Sequence, residues 1–348
     1  MRRKSMKCLA VGDMLIPRIY FDQTLKDCGL FTGYESLSWK EDENLKEARN
    51  TIRQIETLGS RAYMPTEEIL EAVKDADVLA IHLCPAPREL ILAAKQLKYI
   101  LTCRGGVENI DLETVREKGI TIINCPGHNA YAVAEITIGL ILCEMRNLVR
   151  SSKALEDGVW RERYPNSEKI MELRSCRIGI IGFGTIGRLV AERLKVFEAE
   201  ILVYDPFVAA EEIEGLGYVS MSKDELLREA DVVTLHGRIG PNDPPIIGAD
   251  ELKRMKKTAY LVNTARAVLV DMDALYQALK TEQIRGAALD VFPAEPLSKD
   301  DPFLKLDNVT LTNHRGGATI ESYVRAPEMI LGQFRELLKT GKTRCMIR

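Results

Sequence analysis

From about residue 177 onward, short β-branched runs alternate regularly with helix-like stretches. The runs are Arg177–Ile181, Ile201–Tyr204, Asp231–Leu235, Ala259–Val262, Gly286–Leu289 and Asn308–Leu311. Between them lie helical patterns at Thr185–Phe197, Ser222–Glu229, Ala249–Met255 and Asp271–Lys280. In the first of these, Ile186, Val190, Leu194 and Phe197 recur on one helical face. Strands that are apolar on both sides and separated by amphipathic helices imply a parallel sheet covered on both faces, an α/β fold.

The first hundred residues repeat this theme on a smaller scale. Strand-like runs occur at Met6–Val11, Val78–Leu83 and Tyr99–Thr102, with helix patterns at Glu41–Leu58 and Thr66–Val73. Ala130–Leu148 reads as one long helix, Ser151–Arg174 as a polar surface excursion, and Ile320–Lys339 as a final helix. At roughly 150 residues per domain, a chain of 348 residues suggests two domains. With 46% hydrophobic and 28% charged residues, collagen, coiled coil and extensive disorder are excluded.

The net charge of −3 supplies no overall field for nucleic acid or anionic lipid, so neither is an expected partner. The eight cysteines form no C-x-x-C pair and no zinc-ligand spacing with histidine, so no metal is expected. Several lie in apolar contexts such as Leu83-Cys84 and Leu142-Cys143, which suits buried thiols in a reducing cytoplasm. The apolar stretch Cys8–Val11 is cut by Gly12-Asp13 and is too short for an export signal. The longest greasy run, Ile136–Cys143, is far shorter than the roughly 18 residues that span a bilayer.

The run Gly182-Phe183-Gly184-Thr185-Ile186-Gly187 follows the strand pattern at 177–181 and opens a helix pattern. Such glycines permit a tight turn, let backbone approach a pyrophosphate, and allow close helix–strand packing. The helix N-terminus adds free N–H groups and partial positive charge. Asp205 ends the next strand, 18 residues after Gly187, where an acid accepts adenosine ribose hydroxyls. A carboxylate about 4 Å from a 2′-phosphate repels it by about 4 kcal/mol at an effective dielectric near 20. The expected cofactor is therefore NAD in preference to NADP.

Three ionisable groups lie at or just after later strand ends, where ligands border an open parallel sheet. Arg266 follows Tyr260-Leu-Val-Asn-Thr-Ala, Glu295 follows Leu289-Asp-Val-Phe-Pro-Ala, and His314 follows Val309-Thr-Leu-Thr-Asn. With the glycine run and Asp205, these segments resemble the D-isomer-specific 2-hydroxyacid dehydrogenase family. Upstream, Gly106-Val-Glu-Asn-Ile-Asp111, Asn124-Cys-Pro-Gly-His-Asn129 and Val133-Ala-Glu135 match as well, so the resemblance covers about residues 100–320 in the family's order.

The resemblance implies two Rossmann-like or flavodoxin-like domains, with the dinucleotide-binding domain inserted into the substrate domain. The expected boundaries are 1–120 plus 316–348 for the substrate domain and 121–315 for the NAD domain. It also implies a catalytic set. His314 would be the acid/base, Glu295 would hold its ring and favour the imidazolium, and Arg266 would take the substrate carboxylate. The loop of Arg104, Gly105, Gly106 and Val107 would add donors to that carboxylate. His236, Thr264, Ala265 and Asp290 would join Gly182, Gly184, Thr185, Ile186, Gly187 and Asp205 around the cofactor. The expected partners are a small 2-hydroxy or 2-keto acid and a second copy of the chain, with the apolar helix near Ala130–Leu148 in the contact.

His82 and His128 are read as structural, and Arg88, Arg104, Arg161 and Arg238 as solvated surface arginines, with binding of a phosphate or polyhydroxylated substrate tail as the alternative. The sequence departs from the family pattern at Ala267, where glycine is usual, at Asn313, where proline often stands, and at Arg104, which replaces a loop glycine. A rival reading on the same fold is an NAD-sensing corepressor that recruits partners instead of turning over a metabolite. Formate dehydrogenase, a second rival, has glutamine in place of Glu295.

Overall fold

A computed structural model describes residues 6–240, 243–343 and 345–347. The chain folds into two compact units, residues 1–128 with 319–348, and residues 129–318.

The first unit carries β1 (Lys7–Gly12), β2 (Gly33–Ser38), β3 (Val78–Ile81), β4 (Tyr99–Thr102) and β5 (Thr121–Ile123). The second carries β6 (Arg177–Ile181), β7 (Glu200–Tyr204), β8 (Val219–Ser220), β9 (Val232–Leu235), β10 (Tyr260–Asn263), β11 (Gly286–Leu289) and β12 (Val309–Leu311). A last strand, β13 (Met346–Ile347), pairs antiparallel with β5 and closes the first sheet, whose order is β13-β5-β4-β3-β1-β2. Apart from that pair, the strand ladders of both sheets are parallel among the described residues.

The second sheet has the order β12-β11-β10-β9-β6-β7-β8. It reverses direction between β6 and β9, the doubly wound arrangement in which ligands bind at the carboxyl ends of the strands. The first sheet, in the order 2-1-3-4-5, is the flavodoxin-like variant of the same plan.

Side chains alternate strictly along these strands. Leu9 and Val11 of β1 enter one core of the first unit, while Cys8 and Ala10 enter the other. In β10, Leu261 serves one core of the second unit and Tyr260 and Val262 serve the other. Each sheet is thus buried on both faces, as the near-continuous apolar runs require.

The helix Ala326–Thr340 fills one face of the first sheet with Ala326, Ile330, Leu331, Phe334 and Leu337. Phe334 is fully buried and meets the Tyr99 ring edge-on at 5.0 Å. Phe334→Ala should therefore destabilise the chain by about 3–5 kcal/mol, read as a lowered thermal unfolding midpoint. A shift within error of wild type would contradict this packing.

The structure departs from the sequence reading in four places. The helix expected over Ala130–Leu148 ends at Met145, and a second helix runs from Leu148 to Glu156. Asn147 between them is left-handed, with φ +57°, and donates from Nδ2 to Asn166 Oδ1 at 2.7 Å. The excursion expected from Ser151 therefore begins only after this second helix. The final helix is broken at Arg325 into Ile320–Val324 and Ala326–Thr340, because Pro327 lacks the N–H that a continuous helix would need. Some elements had no sequence signal: the helices Arg18–Cys28, Arg88–Ala93, Leu112–Lys118 and Ala210–Gly215, the largely exposed strand β2, and the short strands β5, β8 and β13. Finally, the chain changes units at His128/Asn129 and Ala318/Thr319, not at 120/121 and 315/316. The first crossing moves because β5 pairs with β4.

No helix of the described residues is long and apolar enough to cross a membrane.

Candidate active site

In the second unit, β6 ends at Ile181 and the chain turns through Gly182, whose φ is +95°. A Cβ there would overlap the Gly237 nitrogen and lie 2.6 Å from the His236 carbonyl carbon, so only glycine fits. A Cβ at Gly187 would strike the Gly182 carbonyl, which explains the third glycine. At Gly184 a Cβ would meet nothing within 4 Å. Gly184 directly precedes helix Thr185–Val196, which has no side-chain cap and so presents uncommitted N–H groups. Thr185 is exposed and Ile186 is half-buried at this entry.

Asp205, just past β7, accepts the Phe183 N–H at 2.6 Å on one oxygen and the Phe207 N–H at 2.8 Å on the other. Each oxygen retains a second lone pair, so the carboxylate is fixed beside the turn and can still accept hydroxyls. His236, just past β9, donates its main-chain N–H to Ile181 at 2.7 Å, and its Nε2 lies 3.0 Å from Thr234 Oγ1. Its Nδ1 is buried and has no hydrogen-bond partner. Burial pushes this imidazole down to about 3. The open Gly184 face, the uncapped helix start and the orphaned Nδ1 together fit a dinucleotide.

The strand ends β10, β11 and β12 carry the three ionisable groups. Asn263, fully buried at the end of β10, accepts the Ala265 N–H at 3.0 Å and donates to the Arg266 carbonyl at 2.8 Å. This amide clamps the turn on which Arg266 stands. The Arg266 side chain is exposed and donates Nη1 to the Ala265 carbonyl at 2.7 Å. Thr264 is buried with its hydroxyl 2.8 Å from that of Thr137.

His314 and Glu295 meet directly, with Nδ1 2.7 Å from Oε2 and side-chain exposures of 49% and 34%. The other Glu295 oxygen accepts the Phe292 N–H at 2.9 Å, which fixes the carboxylate. His314 has φ +55°, a left-handed conformation that costs a non-glycine residue about 1–3 kcal/mol.

Asp290 holds this loop in shape. Its buried carboxylate accepts the Thr312 hydroxyl at 2.6 Å and the N–H groups of Arg315 and Gly316 at 2.8 Å each. Asp290, expected among the cofactor contacts, thus spends three hydrogen bonds on the loop that carries His314. Among the described residues, no hydrogen bond or ion pair joins Arg266 to Glu295 or His314.

In the first unit, the loop after β4 carries Arg104, Gly105, Gly106 and Val107. The Arg104 carbonyl accepts the Cys125 N–H at 2.8 Å, and the Gly105 carbonyl accepts Asn124 Nδ2 at 2.6 Å. The Arg104 guanidinium lies 3.6 Å from Glu108, and a Cβ on Gly106 would strike that same carboxylate. Asn109, fully buried, donates to the carbonyls of His82 and Cys84 at 3.0 Å each. Neither clamp, Asn109 nor Asn263, was singled out by sequence reasoning. Each lies within a recognised motif segment, but its role depends on buried carbonyls that only the fold brings near.

His82 sits in a buried pair with Asp13, its Nδ1 3.1 Å from Oδ2. Burial pushes the Asp13 carboxyl up, but His82 and the N–H groups of Leu83 and Leu15 outweigh this and hold it below its ordinary value. His128 is pushed down to about 4 by burial first, then by the charges of His82 and Arg104.

His128 and His236 both start from an ordinary value of 6.5. Their folded values are depressed, so the unfolded chain binds more protons below about pH 6.5. Stability is then complete above that pH and falls by up to about 1.4 kcal/mol per pH unit per histidine on acidification. The urea midpoint should drop between pH 6.5 and 4, and His128→Gln should flatten that slope. A midpoint constant across this window would contradict the shifts.

Comparison with known proteins agrees with this geometry. Residues 138–316 match the family model described as "D-isomer specific 2-hydroxyacid dehydrogenase, NAD binding domain". The chain is 42% identical over 277 residues to a D-3-phosphoglycerate dehydrogenase of Methanocaldococcus jannaschii, covering 78% of this chain and 52% of that protein. It thus spans about half the length of that relative. It is 38% identical over 267 residues to a glyoxylate reductase of Korarchaeum cryptofilum, covering 75% of this chain and 80% of the relative. A glyoxylate reductase crystal structure from Paecilomyes thermophila superposes with a TM-score of 0.71 at 26% identity, covering 99% of this chain and 98% of that one. The chain belongs to the D-isomer specific 2-hydroxyacid dehydrogenase family and carries its NAD-binding domain.

Proposed function

We propose that the chain is an NAD-dependent dehydrogenase that interconverts a D-2-hydroxy acid and its 2-keto acid. The observation that carries this reading is the 2.7 Å pair between His314 and Glu295 on the carboxyl edge of the sheet that also bears the glycine turn. With a carboxylate fixed on Nδ1, that nitrogen keeps its proton and Nε2 is left as the base. Nε2 takes the hydroxyl proton during oxidation and returns a proton to the carbonyl oxygen during reduction.

Gly182, Gly184, Thr185, Ile186 and Gly187 would hold the cofactor pyrophosphate, and Asp205 its adenosine ribose. His236, Thr264 and Ala265 would line the same pocket, and Asp290 would shape it through the His314 loop. When bound, NAD supplies the hydride acceptor. Arg266 would hold the substrate carboxylate through charge-assisted hydrogen bonds worth about 1.5–3 kcal/mol. The loop of Arg104, Gly105, Gly106 and Val107 would add donors to the same group.

The test is NADH oxidation against glyoxylate, hydroxypyruvate, 3-phosphohydroxypyruvate and longer sugar acids. We expect kcat/KM of about 10⁴ M⁻¹ s⁻¹ or more with at least one of them. Tight NADH binding without turnover on any acid would replace this reading with the corepressor-like one.

We further propose a homodimer. Tyr131, Leu148 and Val149 are 55%, 53% and 47% exposed on the helices Ala130–Met145 and Leu148–Glu156. Exposed large apolar side chains on these two helices favour burial against a second copy. Light scattering at micromolar concentration should give twice the chain mass, and a monomer would overturn the assignment.

A further inference from the structure

The chain's net charge is −3, yet one concavity of the second unit is strongly basic. Its volume is about 480 Å³, and it lies where the chain enters β10, β11 and β12. Lys257 precedes β10, Arg285 precedes β11 and Lys305 precedes β12, while Lys280 ends the helix Met272–Lys280. Arg161 and Arg163 reach the same concavity from the irregular segment after helix Leu148–Glu156. Six cationic side chains thus share the lining with two carboxylates, Glu282 and Asp307.

One of those carboxylates is already taken. Arg161 holds Asp307 through both guanidinium Nη atoms, one of them at 2.9 Å, and its Cζ lies 4.7 Å from the centre of the Tyr164 ring. Arg285 donates Nη1 to the Pro165 carbonyl at 2.9 Å. The side chains of Arg163, Lys257, Lys280 and Lys305 have no hydrogen bond or ion pair among the described residues.

Several other cations of this unit meet carboxylates. Arg177 pairs with Glu200 and Glu229, Arg188 with Glu212, Lys223 with Glu251, and Lys256 with Asp231. Like charges gathered in a hollow over an apolar floor, here the buried Leu279 and Ile284, focus the field and concentrate anions.

The hollow is remote from the proposed chemistry. Arg266, Glu295 and His314 follow the carboxyl ends of β10, β11 and β12, whereas these cations cluster at the amino ends. At about 3.3 Å per residue, the three- and four-residue strands separate the two edges by roughly 10–13 Å.

We propose that this basic hollow is a second ligand site, which binds a small phosphate-bearing metabolite through Arg163, Lys257, Lys280 and Lys305. The volume falls within the range of small-molecule sites, about 300–1,000 Å³. An extended polyanion is disfavoured by the negative charge of the rest of the chain. The assignment does not rest on the dehydrogenase reading.

The probe is inorganic pyrophosphate, titrated calorimetrically into the full chain with and without saturating NADH. Heat that survives NADH belongs outside the glycine turn. We expect saturable binding with a Kd of about 1 mM or tighter at 0.15 M salt. The exposed double variant Lys257→Glu/Lys305→Glu should weaken it by about tenfold or more, with the unliganded Tm and NADH affinity unchanged. Three results would overturn the site: no saturable heat, heat abolished by NADH, or an affinity unchanged in the double variant. A 20-nucleotide single strand that outcompetes pyrophosphate and fails on the variant would overturn the small-ligand assignment in favour of nucleic acid.

Discussion

His314→Ala is expected to lower kcat by about 10³-fold or more while NADH still binds with near-native affinity. In the proposed reaction the imidazole moves the substrate proton, and removing it leaves Glu295 without a ring to orient. Binding should survive because the glycine turn, Asp205 and His236 lie on other strand ends and touch none of these atoms. The backbone at 314 is left-handed, so a loss could also arise from a shifted loop. His314→Asn provides the control, since asparagine tolerates positive φ more readily than alanine. Equal losses in both variants, with NADH fluorescence titrations matching wild type, would locate the effect in the imidazole. Retained kcat in either variant would remove His314 from the mechanism.

Glu295→Gln is expected to cost about 10²–10⁴-fold in kcat although it preserves shape. One carboxylate oxygen is committed to the Phe292 N–H and the other to His314 Nδ1. A glutamine must keep its carbonyl oxygen on the Phe292 N–H, which turns its NH₂ group toward the ring. Nδ1 then becomes the acceptor and the proton moves to Nε2, the nitrogen that acts as base in the proposed reaction, which can then no longer take a proton. The carboxylate that stabilises the imidazolium is lost as well, so reduction should suffer with oxidation. NADH affinity and the unfolding midpoint should stay close to wild type. A kcat within threefold of wild type, about 0.7 kcal/mol, would show that the pair is structural only.

The legible parts of this chain are those whose signal is local. Six glycine-punctuated or β-branched runs of the second unit coincide with strands to within a residue, because a strand buried on both faces must be apolar throughout. The roles of Gly182 and Gly187 follow from backbone overlap alone. The first unit was harder to read. The largely exposed β2, Gly33–Ser38, gains its partner only by lying beside β1, and β5 is too short to show any period.

The candidate site divides in the same way. Composition and spacing place Arg266, Glu295 and His314 at strand ends, but the pairing of the last two came from family resemblance and is seen only across 19 residues of intervening chain. Asn263, Asn109 and Asp290 act through buried carbonyls and amides, so their neighbours in space, not in sequence, define what they do.

The way the first sheet is completed bears on how the chain matures during synthesis. Its inner face, with Cys8, Ala10, Val78, Ala80 and Leu101, is covered by Ile330 and Phe334, and its edge is capped by Met346 and Ile347. The unit spanning residues 129–318 is contiguous, and nothing in its own cores waits for later residues. On the ribosome the middle of the chain can therefore collapse before its beginning does. Until residues 326–347 emerge, only Ile16 and the helix Arg18–Cys28, through Phe21 and Leu25, can cover that face, and the apolar surface awaiting Ile330 and Phe334 is open to chaperones.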